Sequence, residues 1–77
     1  MEINLYSKAG CSLCMLTESI LKASNTEYNK IVDKWIVYAV AKEHEITSLP
    51  ILEIDGVMYN GSKAVEKAKT MVGGSDA

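Results

Sequence analysis

Cys11 and Cys14 are the only cysteines of this chain, and they form one C-x-x-C at the point where the residue pattern changes period. A disulfide between them closes a loop of about four residues, which loop-closure entropy puts at roughly 2 kcal/mol. The pair therefore cannot staple a small fold together, and a chain of 77 residues must be held by a hydrophobic core. With 48% hydrophobic and 23% charged residues, the composition supplies such a core and excludes a disordered chain. The length allows one core, with a radius of gyration of roughly 11–12 Å. A globule of that size offers a surface groove but hardly an enclosed pocket for a large cofactor.

Charge and hydropathy narrow the class. The chain has no Arg, its 8 Lys are spread along it, and the net charge is −2, so the basic stripe of a nucleic-acid binder is missing. The longest apolar run, Trp35 to Ala41, is far short of the ~20 residues that a membrane span needs. Met1-Glu2-Ile3-Asn4-Leu5 has neither a basic n-region nor an apolar h-region, so no secretory signal and no membrane association are expected. The expected location is cytoplasmic, where an isolated C-x-x-C tends to be catalytic.

The segments around the cysteines alternate between two periods. Ile3-Asn4-Leu5-Tyr6 reads as a strand, followed by a Ser7-Lys8-Ala9-Gly10 loop. After Cys11 the spacing of Leu13, Leu16, Ile20 and Leu21 predicts a helix with those residues on its apolar face, stopped by Ser24-Asn25. A weaker strand spans Glu27 to Val32. From Asp33, a candidate N-cap, to Glu45 the Trp35-Ile36-Val37-Tyr38 run has strand-like content, but length and Ala41-Lys42-Glu43 favour a helix. By default Trp35 and Tyr38 are then core or rim residues, and His44 is a solvated one.

Thr47-Ser48-Leu49-Pro50 breaks that helix. Ile51-Leu52-Glu53-Ile54 is a strand, and Asp55-Gly56 predicts a tight turn into an antiparallel Val57-Met58-Tyr59. Ala64, Val65, Ala68, Met71 and Val72 mark a last helix from Ser62, with Gly73-Gly74 as its end. The order is β-α-β-α-β-β-α: an α/β fold with a mixed four-stranded sheet and three helices. The two β-α-β crossings imply parallel early strands, with the hairpin as an antiparallel edge.

A C-x-x-C between strand and helix places Cys11 at the positive end of the helix dipole, which favours thiolate. Lys8 in the preceding loop adds positive charge if it turns inward. Cys14, one turn further in, should be less exposed and less acidic. Cys11 is thus the expected attacking thiol and Cys14 the resolving one. A metal reading uses the same thiolates but lacks ligands, since His44 is the only other obvious donor; no metal site is expected within one chain, although two chains could build one. Pro50, the only proline, reads on general grounds as a trans strand-entry breaker.

Tyr6-Ser7-Lys8-Ala9-Gly10-Cys11-Ser12-Leu13-Cys14 resembles the Y-[ST]-K-x-G-C-x-x-C opening of glutaredoxins. Ile46-Thr47-Ser48-Leu49-Pro50-Ile51-Leu52 resembles the cis-proline segment of thioredoxin-fold proteins, and Ile54-Asp55-Gly56 with Asn60-Gly61 resembles the later hairpin and helix entry. The resemblance implies a thioredoxin-like, glutaredoxin-type domain over residues 1–72; the Gly73-Gly74 helix stop leaves 73–77 as an expected flexible tail. It implies thiol–disulfide oxidoreductase activity with no bound cofactor. Catalysis would rest on Cys11 and Cys14, and Lys8, Leu49, Pro50, Gly61 and Ser62 would bind substrate or glutathione. It further implies a cis Leu49–Pro50 bond that leaves the Leu49 backbone free to pair with an extended substrate.

The family's Pro-aromatic pair inside C-x-x-C is Ser12-Leu13 here. Its G-G-x-x-D stretch is Asn60-Gly61-Ser62-Lys63-Ala64, without the acid, so an acid at Ala64 is expected to improve use of glutathione. The expected reductant is glutathione or a thioredoxin reductase, as for the small electron donors of ribonucleotide reductase. The expected partner is a disulfide-bearing protein, and the expected state is a monomer. The alternative is a metal or Fe–S module using the C-x-x-C of two subunits.

Overall fold

The computed structural model describes residues 2–75. Its elements are β1 (Ile3–Tyr6), α1 (Ser12–Ala23), β2 (Asn29–Ile31), α2 (Lys34–Glu43), β3 (Ile51–Ile54), β4 (Val57–Asn60) and α3 (Ser62–Ser75). The order is the expected one, and the radius of gyration is 11.6 Å. No helix among the described residues is long and apolar enough to cross a membrane.

Local signals set the element ends. Asp33 Oδ1 accepts from the N–H groups of Trp35 and Ile36 at 2.9 and 3.4 Å and caps α2. Asn25 follows α1 and Glu45 follows α2 in the left-handed region, with φ of 57° and 54°. In each case the next residue donates back into the helix, Thr26 N–H to Leu21 O and Ile46 N–H to Ala41 O. Asp55 and Gly56, with φ of 48° and 86°, make the hairpin turn. Gly73 and Gly74 do not end α3, which continues to Ser75: glycine allows a helix to stop but adopts helical angles as well. The rest of the expected tail, Asp76 and Ala77, lies outside the described residues. β2 is shorter than the expected Glu27–Val32 segment, and β4 is one residue longer than expected.

The sheet order is β2-β1-β3-β4. β1 and β2 are parallel, with Tyr6 beside Ile31, whereas β3 is antiparallel to β1, with Tyr6 beside Ile51. The second crossing therefore does not give a parallel strand. The chain leaves β2 and enters β3 at the same end of the sheet, both Ile31 and Ile51 lying beside Tyr6, so α2 never travels the length of a crossover helix, and it buries only Val37.

Ile3, Leu5, Leu52 and Ile54 form a core with Leu21 of α1 and with Ala64 and Ala68 of α3. The inward face of α1 is Cys14, Thr17 and Leu21; Leu13 and Leu16, expected inside, are 38% and 44% exposed. The inward stripe is rotated toward small residues. Thr17 can be buried because its hydroxyl donates to Leu13 O at 2.8 Å, and Cys14 packs as a small apolar group. Trp35 and Tyr38 are exposed rather than core residues.

One polar cluster ties α1 to β2. Tyr28 OH donates to Glu18 Oε2 at 2.8 Å, and Lys30 Nζ pairs with Glu18 Oε1 at 3.1 Å. The tyrosine hydrogen bond, ahead of the lysine, holds the Glu18 carboxyl below the usual carboxylate range, while burial first and Glu18 second push the Tyr28 phenol up to about 12. A carboxyl lowered on folding stabilises the fold above its unfolded value, and that contribution disappears as pH falls through the folded value. Tyr28→Phe should therefore lower stability at neutral pH by about 1 kcal/mol, the scale of one such bond. It should also flatten the loss of stability below about pH 4.5. Urea melts at neutral and acid pH check this, and an acid limb as steep as in the wild type would remove Glu18 as its source.

Candidate active site

The C-x-x-C occupies the head of α1. Cys11 is the N-cap residue, half-buried, and Cys14 is 3% exposed behind it. The two sulfurs are paired, with Cα atoms 5.2 Å apart. Cys14 N–H donates to Cys11 Sγ at 3.2 Å, so the sulfur takes the place that a serine or aspartate oxygen takes at other helix starts. In the reduced protein that donor and the helix dipole favour a negative sulfur at Cys11. Among the described residues no hydrogen-bond donor serves the Cys14 sulfur, and its burial favours the neutral thiol. Iodoacetamide at mildly acidic pH should thus label Cys11 of the reduced protein first, as read by mass mapping. Preferential labelling of Cys14 would exchange the two roles.

The chain reaches this site again through the segment before β3. The Leu49–Pro50 bond is cis, and Pro50 is fully buried. Neither the N–H nor the C=O of Leu49 has a backbone partner among the described residues. Lys8, Gly10, Cys11, Ser12, Leu13, Thr47 and Leu49 line one open cleft of about 400 Å³. Lys8 and Leu49 thus share a surface with Cys11. Gly61 and Ser62 do not line that cleft. Gly61 instead anchors the Pro50 segment: its N–H donates to Pro50 O at 3.0 Å. A Cβ on Gly61 would meet Ser48 Oγ at 2.9 Å, at a φ of 59° that side chains rarely adopt. Ser62 is the first residue of α3 rather than its cap, since Ala64 and Val65 donate to Gly61 O.

Ala64 overturns one expectation. It is fully buried on the core-facing side of α3, so an acid there would be an unpaired buried charge costing several kcal/mol. Ala64→Asp would report on folding, not on glutathione. Sequence reasoning also missed Thr47 at the Cys11 cleft and the α2 residues Lys34, Tyr38 and Ala41, which line a neighbouring cleft with Lys8. Their spacing of four and three residues was a usable signal for one helix face. His44 is the exposed C-cap of α2. Among the described residues no three of His, Cys, Asp and Glu come together as metal ligands. A wider depression of about 790 Å³, lined by Glu2, Ile3 and residues 26–29, lies at the opposite end of the sheet from Cys11 and contains no cysteine.

The sequence matches no family model and no curated protein. Solved structures do match. NrdH-redoxin from Escherichia coli, described as a glutaredoxin-like protein with a thioredoxin-like activity profile, superposes with a TM-score of 0.78 at 15% identity, over 92% of this chain and 95% of that one. The thioredoxin-like protein BC3987 gives 0.76 at 23% identity over 91% of this chain and 99% of that one. Glutaredoxin 1 from Francisella tularensis gives 0.71 at 14% identity over 95% and 96%. The chain has the thioredoxin fold in its glutaredoxin-type form, with the C-x-x-C at the head of the first helix.

Proposed function

We propose that the protein is a thiol–disulfide oxidoreductase that reduces disulfides of proteins, or their mixed disulfides with glutathione, through Cys11 and Cys14. The supporting observation is the asymmetry of the two sulfurs: Cys11 Sγ accepts the Cys14 N–H at the helix head, with Cys14 buried one turn behind. The Cys11 thiolate attacks one substrate sulfur, the substrate S–S bond breaks, and the leaving thiolate takes a proton from water. Cys14 gives up its proton to the hydroxide left by that step and attacks Cys11 Sγ; the mixed disulfide breaks, and the second substrate sulfur leaves as thiolate and is protonated by water. Two electrons have passed to the substrate, and the protein holds the Cys11–Cys14 disulfide.

An external dithiol-level reductant, two glutathione molecules or a thioredoxin reductase, restores the thiols. The protein acts as a monomer in the cytoplasm, in electron transport and redox homeostasis, and a ribonucleotide reductase is one candidate substrate. The similarity to a glutaredoxin-like protein with a thioredoxin-like activity profile makes both reductants worth testing in parallel. NADPH oxidation is followed with glutathione plus glutathione reductase, and with thioredoxin reductase. At least one system should drive reduction of a small disulfide roughly 10³-fold above a Cys11→Ser control, the scale of a lost nucleophile. Equal rates for the two proteins in both systems would overturn the assignment.

A further inference from the structure

The segment that carries Leu49 past Cys11 is tied down sparingly. Before it, Ile46 N–H donates to Ala41 O at 2.7 Å, and after it, Gly61 N–H donates to Pro50 O at 3.0 Å. Between those two bonds, among the described residues, residues 47–49 make a single hydrogen bond: Asn60 Nδ2 donates to Ser48 Oγ at 2.7 Å. Thr47 and Ser48 are exposed, so packing adds little to that hold. Asn60 is the last residue of β4 and lies opposite Ile51 in register, so paired strands carry the donor. Gly61 leaves room for the acceptor, since a Cβ there would lie 2.9 Å from the same Ser48 Oγ. In the glutaredoxin stretch that Asn60-Gly61 resembles, the place of Asn60 belongs to a glycine, which has no side chain to donate. The bond to Ser48 is a feature of this chain.

We propose that Asn60 is a positioning residue for protein substrates: through Ser48 it fixes the Leu49 peptide group that receives the substrate backbone beside Cys11. The proposal rests on the oxidoreductase reading for the word substrate, but the binding itself does not require chemistry. The N–H and C=O of Leu49 have no backbone partner among the described residues, and strand-like pairing needs both held at a set distance and angle from an extended segment. A segment that is ordered before binding does not have to be ordered by it, so the bond acts on affinity rather than on the sulfur chemistry. A disulfide without a peptide backbone has nothing to pair with Leu49 and escapes the effect.

The test offers two disulfides to the full chain, reduced with dithiothreitol and desalted: a short uncharged peptide whose one cysteine is capped by mercaptoethanol, and hydroxyethyl disulfide. Single-turnover rates against concentration give a half-saturation value and a limiting rate for each. Asn60→Ala should lower the ratio of peptide to small-disulfide efficiency about three- to tenfold, the range of one neutral hydrogen bond, through half-saturation rather than through the limiting rate. Ser48→Ala should do the same, and the double variant no more than either alone, since one bond is lost in all three. Asn60→Asp should keep the wild-type ratio, because its carboxylate accepts the Ser48 O–H, and should lose that rescue in Ser48→Ala. A side chain that only steadies the fold would lower the melting midpoint and both efficiencies together. That result, an unchanged ratio in folded Asn60→Ala, or additive losses in the double variant overturns the proposal. Anisotropy of a fluorescent form of the peptide, with serine for its cysteine, measures binding without chemistry, and Asn60→Ala should weaken it by the same factor. Wild-type binding weakened in Asn60→Ala, without reduction of either disulfide, sinks the oxidoreductase and leaves Asn60 as a positioning residue of a peptide site. Reduction of both disulfides with equal peptide binding by wild type and Asn60→Ala, or with no binding by the wild type, sinks the positioning role alone.

Discussion

Cys14→Ser is expected to accumulate a mixed disulfide through Cys11 when offered an oxidised partner, while Cys11→Ser accumulates none. The first substitution keeps the sulfur that accepts the helix N–H and removes only the thiol that would displace the partner. The second leaves a thiol that is 3% exposed and lacks that donor, so its attack on a bulky disulfide should be slower by roughly 10³-fold, again the scale of a lost nucleophile. Intact-mass spectrometry shows the adduct as an added mass that dithiothreitol removes, and a protein held this way names the substrate. Equal trapping by both variants would mean that the two thiols are interchangeable. Absence of trapping in either, together with metal content that tracks both cysteines, would replace the oxidoreductase with a metal module shared between two chains.

Leu52→Ala is expected to cost about 2–5 kcal/mol, out of a total that for 77 residues is roughly 4–12 kcal/mol. Leu52 is fully buried at the centre of the sheet, between Leu5 and Tyr59 in register, and the cavity left by its side chain has rigid walls. At roughly 4–8 °C per kcal/mol for a domain of this size, the melting midpoint should fall by about 8–40 °C. Leu16→Ala, on the exposed side of α1, should stay within about 0.5 kcal/mol. The comparison by thermal and urea melts tests the orientation of α1 as well as the core. A loss at Leu16 as large as at Leu52 would mean that α1 is turned the other way.

The parts of this protein that were legible in the residue order are those whose causes lie within a few residues. Asp33 could be read as a cap because the donors it satisfies are two and three residues on. Asp55-Gly56 could be read as a turn because left-handed angles are a property of those residues themselves. The C-x-x-C could be read as an attacking and a resolving thiol because a strand before it and a helical period after it place Cys11 at the helix head. The cis bond before Pro50 was not local in this sense: general preference pointed to trans, and only the resemblance of the whole segment pointed to cis.

Tertiary structure decided what depends on a neighbour distant in the chain. Leu13 and Leu16 were a valid apolar stripe, but the surface offered by β1, β3 and α3 accepted Cys14, Thr17 and Leu21 instead. A helical period says that a stripe exists, not how wide it is or which edge will be covered. The direction of β3 depended on whether α2 would travel along the sheet. With only Val37 to bury, it did not. Ala64 matched a motif position in one dimension yet lies in the core, and Lys8, Lys34 and Tyr38, 26 and 4 residues apart in order along the chain, line one cleft. Backbone preferences act over one or two turns of chain, so they select the elements; which faces meet, and hence which side chains surround Cys11, is selected by packing across the whole domain.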